Sequence, residues 1–156
     1  MNDILACLEN AANLYPDKTA IDDANSSITY GTYLKKAQYI GFSLLNRIPA
    51  ANQPVLVLTN DTAECLITFM GILYSGNFYV PVDSMLPEKR LQSMAETISP
   101  CIVIRMTEND PVLEGVESVA YSDLLKEGTE SFDISSLNKV RSKRSLLDPV
   151  FGMFTS

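Results

Sequence analysis

The sequence predicts an α/β fold, a layered and mostly parallel sheet with flanking helices, and three observations carry that expectation. Val55-Leu56-Val57-Leu58 is an unbroken apolar run bounded by Pro54 and Asn60, the pattern of a strand buried on both faces. A helix-period stripe follows in Ala63, Leu66, Ile67, Met70, Leu73 and Tyr74, closing on Gly76 before the chain turns directly into Phe78-Tyr79-Val80. The same alternation repeats through residues 87–105, and repeated βα units build parallel sheets by right-handed crossovers.

Taken in order, the chain opens with Ile4, Leu5, Leu8, Ala11, Ala12 and Tyr15 at helical spacing, with Asn2 or Asp3 as cap and Pro16-Asp17 as stop. Residues 19–22 and 27–29 are β-prone runs flanking the polar turn Asp23-Ala24-Asn25-Ser26, a hairpin pattern that delivers Thr29 to the start of a second helix. That helix carries Leu34, Ala37, Gly41, Leu44 and Leu45 on one face and ends before Pro49 and Pro54. Asn60 or Asp61 is placed to cap the third helix. Pro81 is expected to end the Phe78-Tyr79-Val80 strand, and Pro87 to open a fourth helix with Leu91, Met94, Ala95 and Ile98 as its apolar stripe.

Residues 101–105 form the next strand, which completes a well-patterned βα core over 1–106. Beyond it the pattern weakens, and residues 107–147 are expected to be irregular or linker-like. Exceptions are a strand at 116–120 and a short helix at 122–126; the stretch 127–144 is polar, mixed in charge and poorly periodic. Residues 148–156 resume as a strand, weakened by Gly152.

Composition narrows the chemistry. The chain has 156 residues, enough for one α/β unit with a real core, and 46% of them are hydrophobic. Nineteen acidic against twelve basic residues leave a net charge of -7, which argues against capture of nucleic acid or anionic lipid. The sequence holds no histidine, so Ser-His and Cys-His catalytic pairs and histidine metal sites are excluded from it. Cys7, Cys65 and Cys101 stand far apart among apolar neighbours, without metal-ligand spacing, and are expected to be small buried hydrophobes. The uncharged stretch 65–82 is broken by Ser75, Gly76, Asn77 and Pro81, which suits helix, turn and strand better than a membrane span. The opening Met1-Asn2-Asp3 lacks the order of a signal peptide, so a cytoplasmic protein is expected.

Four segments carry more information than their surroundings. In Ile28-Thr29-Tyr30-Gly31-Thr32-Tyr33-Leu34, capping alone explains Thr29. In residues 73–83, Gly76 relieves positive φ, and Asp83 stands beyond a strand end, at the ligand edge of an α/β fold or as a solvated loop acid or helix cap. Near Pro87-Glu88-Lys89-Arg90-Leu91, Arg90 can brace against Asp83 or Glu88. In Phe154-Thr155-Ser156, hydroxyl residues follow an apolar run, a weak pattern by itself that would suit the mouth of a phosphate-binding loop.

In this order and spacing the segments resemble the adenylate-forming superfamily of acyl-CoA synthetases, luciferases and peptide-synthetase adenylation domains. Ile28-Thr29-Tyr30 is similar to its L-T-Y-x-E-L segment, residues 73–83 to L-K-A-G-x-A-Y-V-P-x-D, and residues 148–156 to the D-x-A-Y-x-x-Y-T-S that leads into the Gly-rich nucleotide loop. Thr32 stands where the family has Glu, which removes half of a capping box, and Tyr74, Ser75 and Phe78 replace Lys, Ala and Ala. The Y-V-P-x-D sequence with Pro87-Glu88-Lys89-Arg90 resembles amino-acid adenylation domains, as in peptide synthetases and D-alanine carrier-protein ligases.

The resemblance implies an ATP- and Mg²⁺-dependent ligase that converts a carboxylate, an amino acid by preference, into an acyl-adenylate. The acyl group then passes to the phosphopantetheine thiol of a carrier protein, or to CoA. The fold implied is an N-terminal portion of the adenylate-forming enzyme fold, whose further partners are the remainder of the adenylation domain and the carrier protein. Only Thr155 and Ser156 match functional positions, the first two of the nucleotide loop; no catalytic or metal-binding residue is assigned. The chain alone is therefore expected to be inactive, to bind no ATP, and to be open to self-association through a cut sheet edge. A non-catalytic interaction or regulatory module that retains part of the fold is the competing reading.

Overall fold

The computed structural model describes residues 3–155. The elements run α1 (Ile4–Leu14), β1 (Thr19–Asp22), β2 (Ser27–Thr29), α2 (Tyr30–Arg47), β3 (Pro54–Thr59) and α3 (Ala63–Tyr74). There follow β4 (Phe78–Asp83), α4 (Glu88–Ile98), β5 (Ile102–Arg105), β6 (Ser118–Ala120), α5 (Tyr121–Ser131) and α6 (Ile134–Lys143). β1 and β2 form an antiparallel hairpin; the other four strands form one parallel sheet in the order β4-β3-β5-β6.

Strand alternation splits the core. Val55 and Val57 of β3, Ile102 and Ile104 of β5 and Val119 of β6 face Ile40 and Leu44 of α2, Ile67 and Ile72 of α3 and Leu124 of α5. Leu56, Leu58, Val80, Val82 and Val103 turn to the other face, where Leu91 and Ala95 of α4 and Leu113 cover them. A third cluster joins Leu5 and Leu8 of α1, Phe42 of α2, Met70 and Leu73 of α3 and Leu137 of α6 outside the first helical layer. Helix α3 is therefore packed on two sides, which explains why apolar residues run almost all the way round it. No helix among the described residues is long and apolar enough to cross a membrane.

Helices α2 and α3 cross at glycines. A Cβ on Gly41 would lie 2.5 Å from Tyr74 Cβ, and one on Gly71 would lie 2.5 Å from Ile40 Cγ2. At the end of α3, Gly76 adopts φ 82°, the left-handed conformation its position in the sequence predicts.

The expectation of an irregular stretch over 107–147 is corrected by α5 and α6. Helix α5 continues through Gly128, buried because a Cβ there would meet Tyr39 O at 2.2 Å; this glycine permits close approach to α2 and does not break the helix. Helix α6 buries only Leu137 completely, so it carries too little apolar periodicity to be recognised. Its other anchors are polar or local: Asp133 caps it through the Ser135 N–H, and Arg141 pairs with Asp3, the N-cap of α1, and with Glu9 within that helix.

Two expectations about β4 and its neighbour also change. Strand β4 passes through Pro81 to Asp83, because Pro81 is an outward-facing residue of an edge strand. Phe78 N–H donates to Gln53 O and Ser84 N–H to Thr59 O, so even-numbered residues bond β3. Tyr79 instead donates to Val150 O and accepts from Gly152 N–H on the outer side, and Pro81 shares that parity. The expected strand at 148–156 is reduced to this one bridge, Tyr79 to Phe151. In a parallel ladder the next donor to Gly152 O would be the nitrogen of Pro81, which carries no hydrogen.

Candidate functional site

The segment that leads to Thr155 leaves α6 through a short turn and lies on the outer edge of β4. Its aromatic contacts fix its line: Phe69 of α3 stacks on Tyr79 at 4.2 Å between centroids and 11° between planes, and Tyr79 stacks on Phe151 at 6.0 Å and 25°. Tyr33 of α2 donates its hydroxyl to Leu66 O beside this stack. Burial, with a smaller contribution from Tyr79, pushes the Tyr33 hydroxyl up to about 12. Phe154 turns to the α4-side core, while Thr155 is exposed, three residues past Gly152, the last outer-edge donor of the segment. Ser156 lies outside the described residues.

The carboxyl ends of the parallel strands gather Thr59, Asn60, Thr62, Asp83 and the start of α3. Asp83 is exposed and accepts from Met85 N–H at 2.9 Å, so in this structure it braces the turn into α4. The expected ion pair of Arg90 with Asp83 or Glu88 does not form among the described residues; Arg90 is exposed, and nothing holds two long side chains together there. Thr29 caps α2 by accepting from Thr32 N–H at 3.2 Å and donates its hydroxyl to Thr32 Oγ1 at the same distance. The threonine that stands in place of glutamate therefore still engages the cap.

Helix α3 is capped by a residue that sequence order does not suggest. Thr62 occupies the N-cap without a side-chain bond to the helix, and neither Asn60 nor Asp61 serves. Asp23, from the hairpin turn, accepts from Ala63 N–H through Oδ2 at 2.8 Å and from Asn25 and Ser26 N–H through Oδ1. Those donors, Ala63 first, hold the Asp23 carboxyl below the usual carboxylate range. Asn60 instead engages Cys65, whose thiol donates to Asn60 O at 3.2 Å.

Cys65 is buried and desolvation pushes its thiol up, which fits a small core residue rather than a nucleophile. Cys7 is exposed on α1, contrary to the sequence expectation, because its position falls between the buried Leu5 and Leu8. Among the described residues no group of three acidic or cysteine side chains could hold a metal ion.

A parallel sheet covered by helices on both faces, with a segment running along its outer edge to an exposed threonine, defines a doubly wound α/β domain with its ligand edge at the strand C-termini. The chain belongs to the AMP-binding enzyme family, whose sequence model matches residues 8–156. It is 27% identical over 124 residues to the D-alanine–D-alanyl carrier protein ligase of Streptococcus pyogenes serotype M49 (strain NZ131), covering 80% of this chain and 24% of the relative. It is 31% identical over 87 residues to tenellin synthetase of Beauveria bassiana (strain ARSEF 2860), covering 56% of this chain and 2% of the relative. The chain thus spans a quarter or less of these relatives.

Among solved structures, the Klebsiella oxytoca NpsA N-terminal subdomain in complex with 3-hydroxybenzoyl-AMSN superposes with TM-score 0.73 at 18% identity, covering 84% of this chain and 33% of that one. The artificially fused adenylation-PCP di-domain NpsA-ThdA from the same organism gives TM-score 0.73 at 16% identity, covering 81% and 24%. At those identities the likeness shows the fold.

Proposed function

We propose that this chain is part of the N-terminal subdomain of a cytoplasmic amino-acid-activating ligase and is inactive alone. The reaction joins a carboxylate oxygen to the α-phosphorus of ATP as the bond to pyrophosphate breaks. A carrier-protein phosphopantetheine thiol then attacks the acyl carbon and AMP leaves. One observation carries the reading: the family match runs through residues 8–156 and includes the segment laid on β4, which brings exposed Thr155 toward the open carboxyl edge of the sheet. The first named relative, a carrier-protein ligase, supports the acceptor.

In this reading the contribution of the chain is positional. The Phe69-Tyr79-Phe151 stack and the two Tyr79 backbone bonds set the line along which the segment up to Thr155 approaches the nucleotide loop. Mg²⁺ does not fit the described residues, which offer no cluster of ligands, so no step is assigned to a metal held by this chain.

The test is amino-acid-dependent exchange of labelled pyrophosphate into ATP, run on the product of the full reading frame containing this sequence and, in parallel, on the 156-residue chain. Exchange by the former alone, with one amino acid preferred, is the expected result. Exchange by neither across a broad acid panel overturns the ligase reading, and exchange by the chain alone overturns its inactivity.

A further inference from the structure

Arg47 and Arg141 each sit against two carboxylates: Arg47 against Glu117 and Glu127, Arg141 against Asp3 and Glu9. Arg144, partly buried at the C-cap of α6, has no carboxylate within 4.0 Å among the described residues. Its guanidinium reaches two carbonyl oxygens, Leu73 O and Pro149 O, each at 3.4 Å, longer than a good N–H···O bond. Desolvation holds its pKa below the usual arginine range even though Asp148 and Asp3, neither paired with it, pull the other way, whereas the pKa values of Arg47 and Arg141 are raised. An under-paired cation at the edge of the interior gains from an added anion, because its desolvation is already in place.

Such an anion has room. Arg144 and Lys143 line a cavity of about 310 Å³ bounded by the end of α2, the loop before β3, Gly76 and the end of α6. The remaining wall is largely aliphatic, with Leu45, Ile48, Ala51 and Val140. Asp148 also borders it, but its Oδ2 accepts from Ser145 N–H at 2.8 Å and is not paired with Arg144. A largely apolar wall with two cations against the one carboxylate of Asp148 keeps a net positive charge, which matches a molecule that has an anionic head and a short alkyl body.

We propose that this cavity binds a small aliphatic carboxylate, its carboxylate at Arg144 and Lys143 and its chain against Ile48, Ala51 and Val140. The cavity opens at the edge of the sheet that precedes β3 and β4, whereas Thr155 lies toward the opposite edge; the site is therefore separate from the proposed adenylation chemistry and does not rest on it. Because Arg144 also holds Pro149 O, next to the Val150 that bonds Tyr79, a ligand that draws the guanidinium inward loosens the segment leading to Thr155.

The probe is sodium butyrate, titrated into the ¹⁵N-labelled chain at constant pH and ionic strength, with sodium chloride and inorganic phosphate as parallel arms. Saturable shifts at Ala51, Gly76 and Lys143 with a common midpoint are expected, with Gly152 moving at that same midpoint. Arg144→Gln should weaken binding about 10- to 100-fold, the range for a lost charged hydrogen bond, and Arg144→Lys less. Ala51→Leu, at an exposed position of the wall, should block binding without removing a charge, and it decides the matter if Arg144→Gln does not fold. Non-saturating shifts, equal shifts with chloride, or full affinity in Ala51→Leu overturn the site; phosphate binding as tightly as butyrate overturns its aliphatic selectivity.

Discussion

Replacing Gly71 with alanine puts one methyl group where α2 and α3 are closest. That Cβ would lie 2.5 Å from Ile40 Cγ2, 2.6 Å from Ile40 Cβ and 3.1 Å from Ala37 O. Carbon atoms pack comfortably at about 3.5–4.0 Å, so the helices must separate by roughly 1 Å. Rotation of Ile40 cannot relieve the contact with its own Cβ. Alanine gains about 1 kcal/mol of helix propensity over glycine, whereas overpacking of this kind costs about 1–3 kcal/mol. Separation also loosens the contacts of Ile40, Leu44 and Ile67 beneath the crossing. The expected outcome is a net loss of up to roughly 2 kcal/mol, read by urea unfolding followed by far-ultraviolet circular dichroism with an unchanged m value. Ile40→Ala removes Cγ2, so the double variant should lose at least about 0.5 kcal/mol less than the sum of the single losses. A Gly71→Ala protein as stable as the parent, or more so, would refute the close crossing.

Two further outcomes follow from the hairpin and from β4. The folded carboxyl of Asp23 titrates below its ordinary value of 3.8, so its stabilising contribution is present above that value and is lost as pH falls through the lower folded value. Thermal unfolding of Asp23→Asn at several pH values should therefore show a weaker dependence than the parent on the acid side of 3.8, and parallel curves would sink the capping assignment. Pro81→Val supplies an N–H toward Gly152 O. The new amide at residue 81 should exchange about tenfold more slowly than an unstructured amide, the worth of one ordinary hydrogen bond, and that of Phe154 about tenfold more slowly than in the parent; exchange at the rate of an unstructured amide at residue 81 would contradict the parity assigned to β4.

The parallel core was legible because its signals are local. Val55-Leu56-Val57-Leu58 needs two buried faces, Gly76 needs a left-handed turn, and both occur where the pattern places them. The hairpin at β1 and β2 has the predicted bounds, since Asp23-Ala24-Asn25-Ser26 is a turn by its own chemistry. What escaped detection depends on partners distant in sequence. Gly128 stays helical because of Tyr39, and α6 is held by Leu137 and by Arg141 reaching back to Asp3 and Glu9. The cap of α3 comes from Asp23, 40 residues earlier, while the nearer Asn60 turns to Cys65. Thr155 was identified through motif order alone; its exposure beside β4 is compatible with the role, and no side-chain geometry in the sequence could have indicated it.

The proline in β4 also limits what else can attach there. An exposed strand edge is a template on which any passing extended chain can extend the sheet, and that is a route to aggregation during synthesis and refolding. Along the outer side of β4 the first donor is occupied by Val150 O and the next position has no hydrogen to offer, so a stray strand finds its hydrogen-bond ladder interrupted after one rung. At the opposite side of the sheet, β6 spans only Ser118–Ala120. Among the described residues both borders are thus poor templates for indiscriminate strand addition.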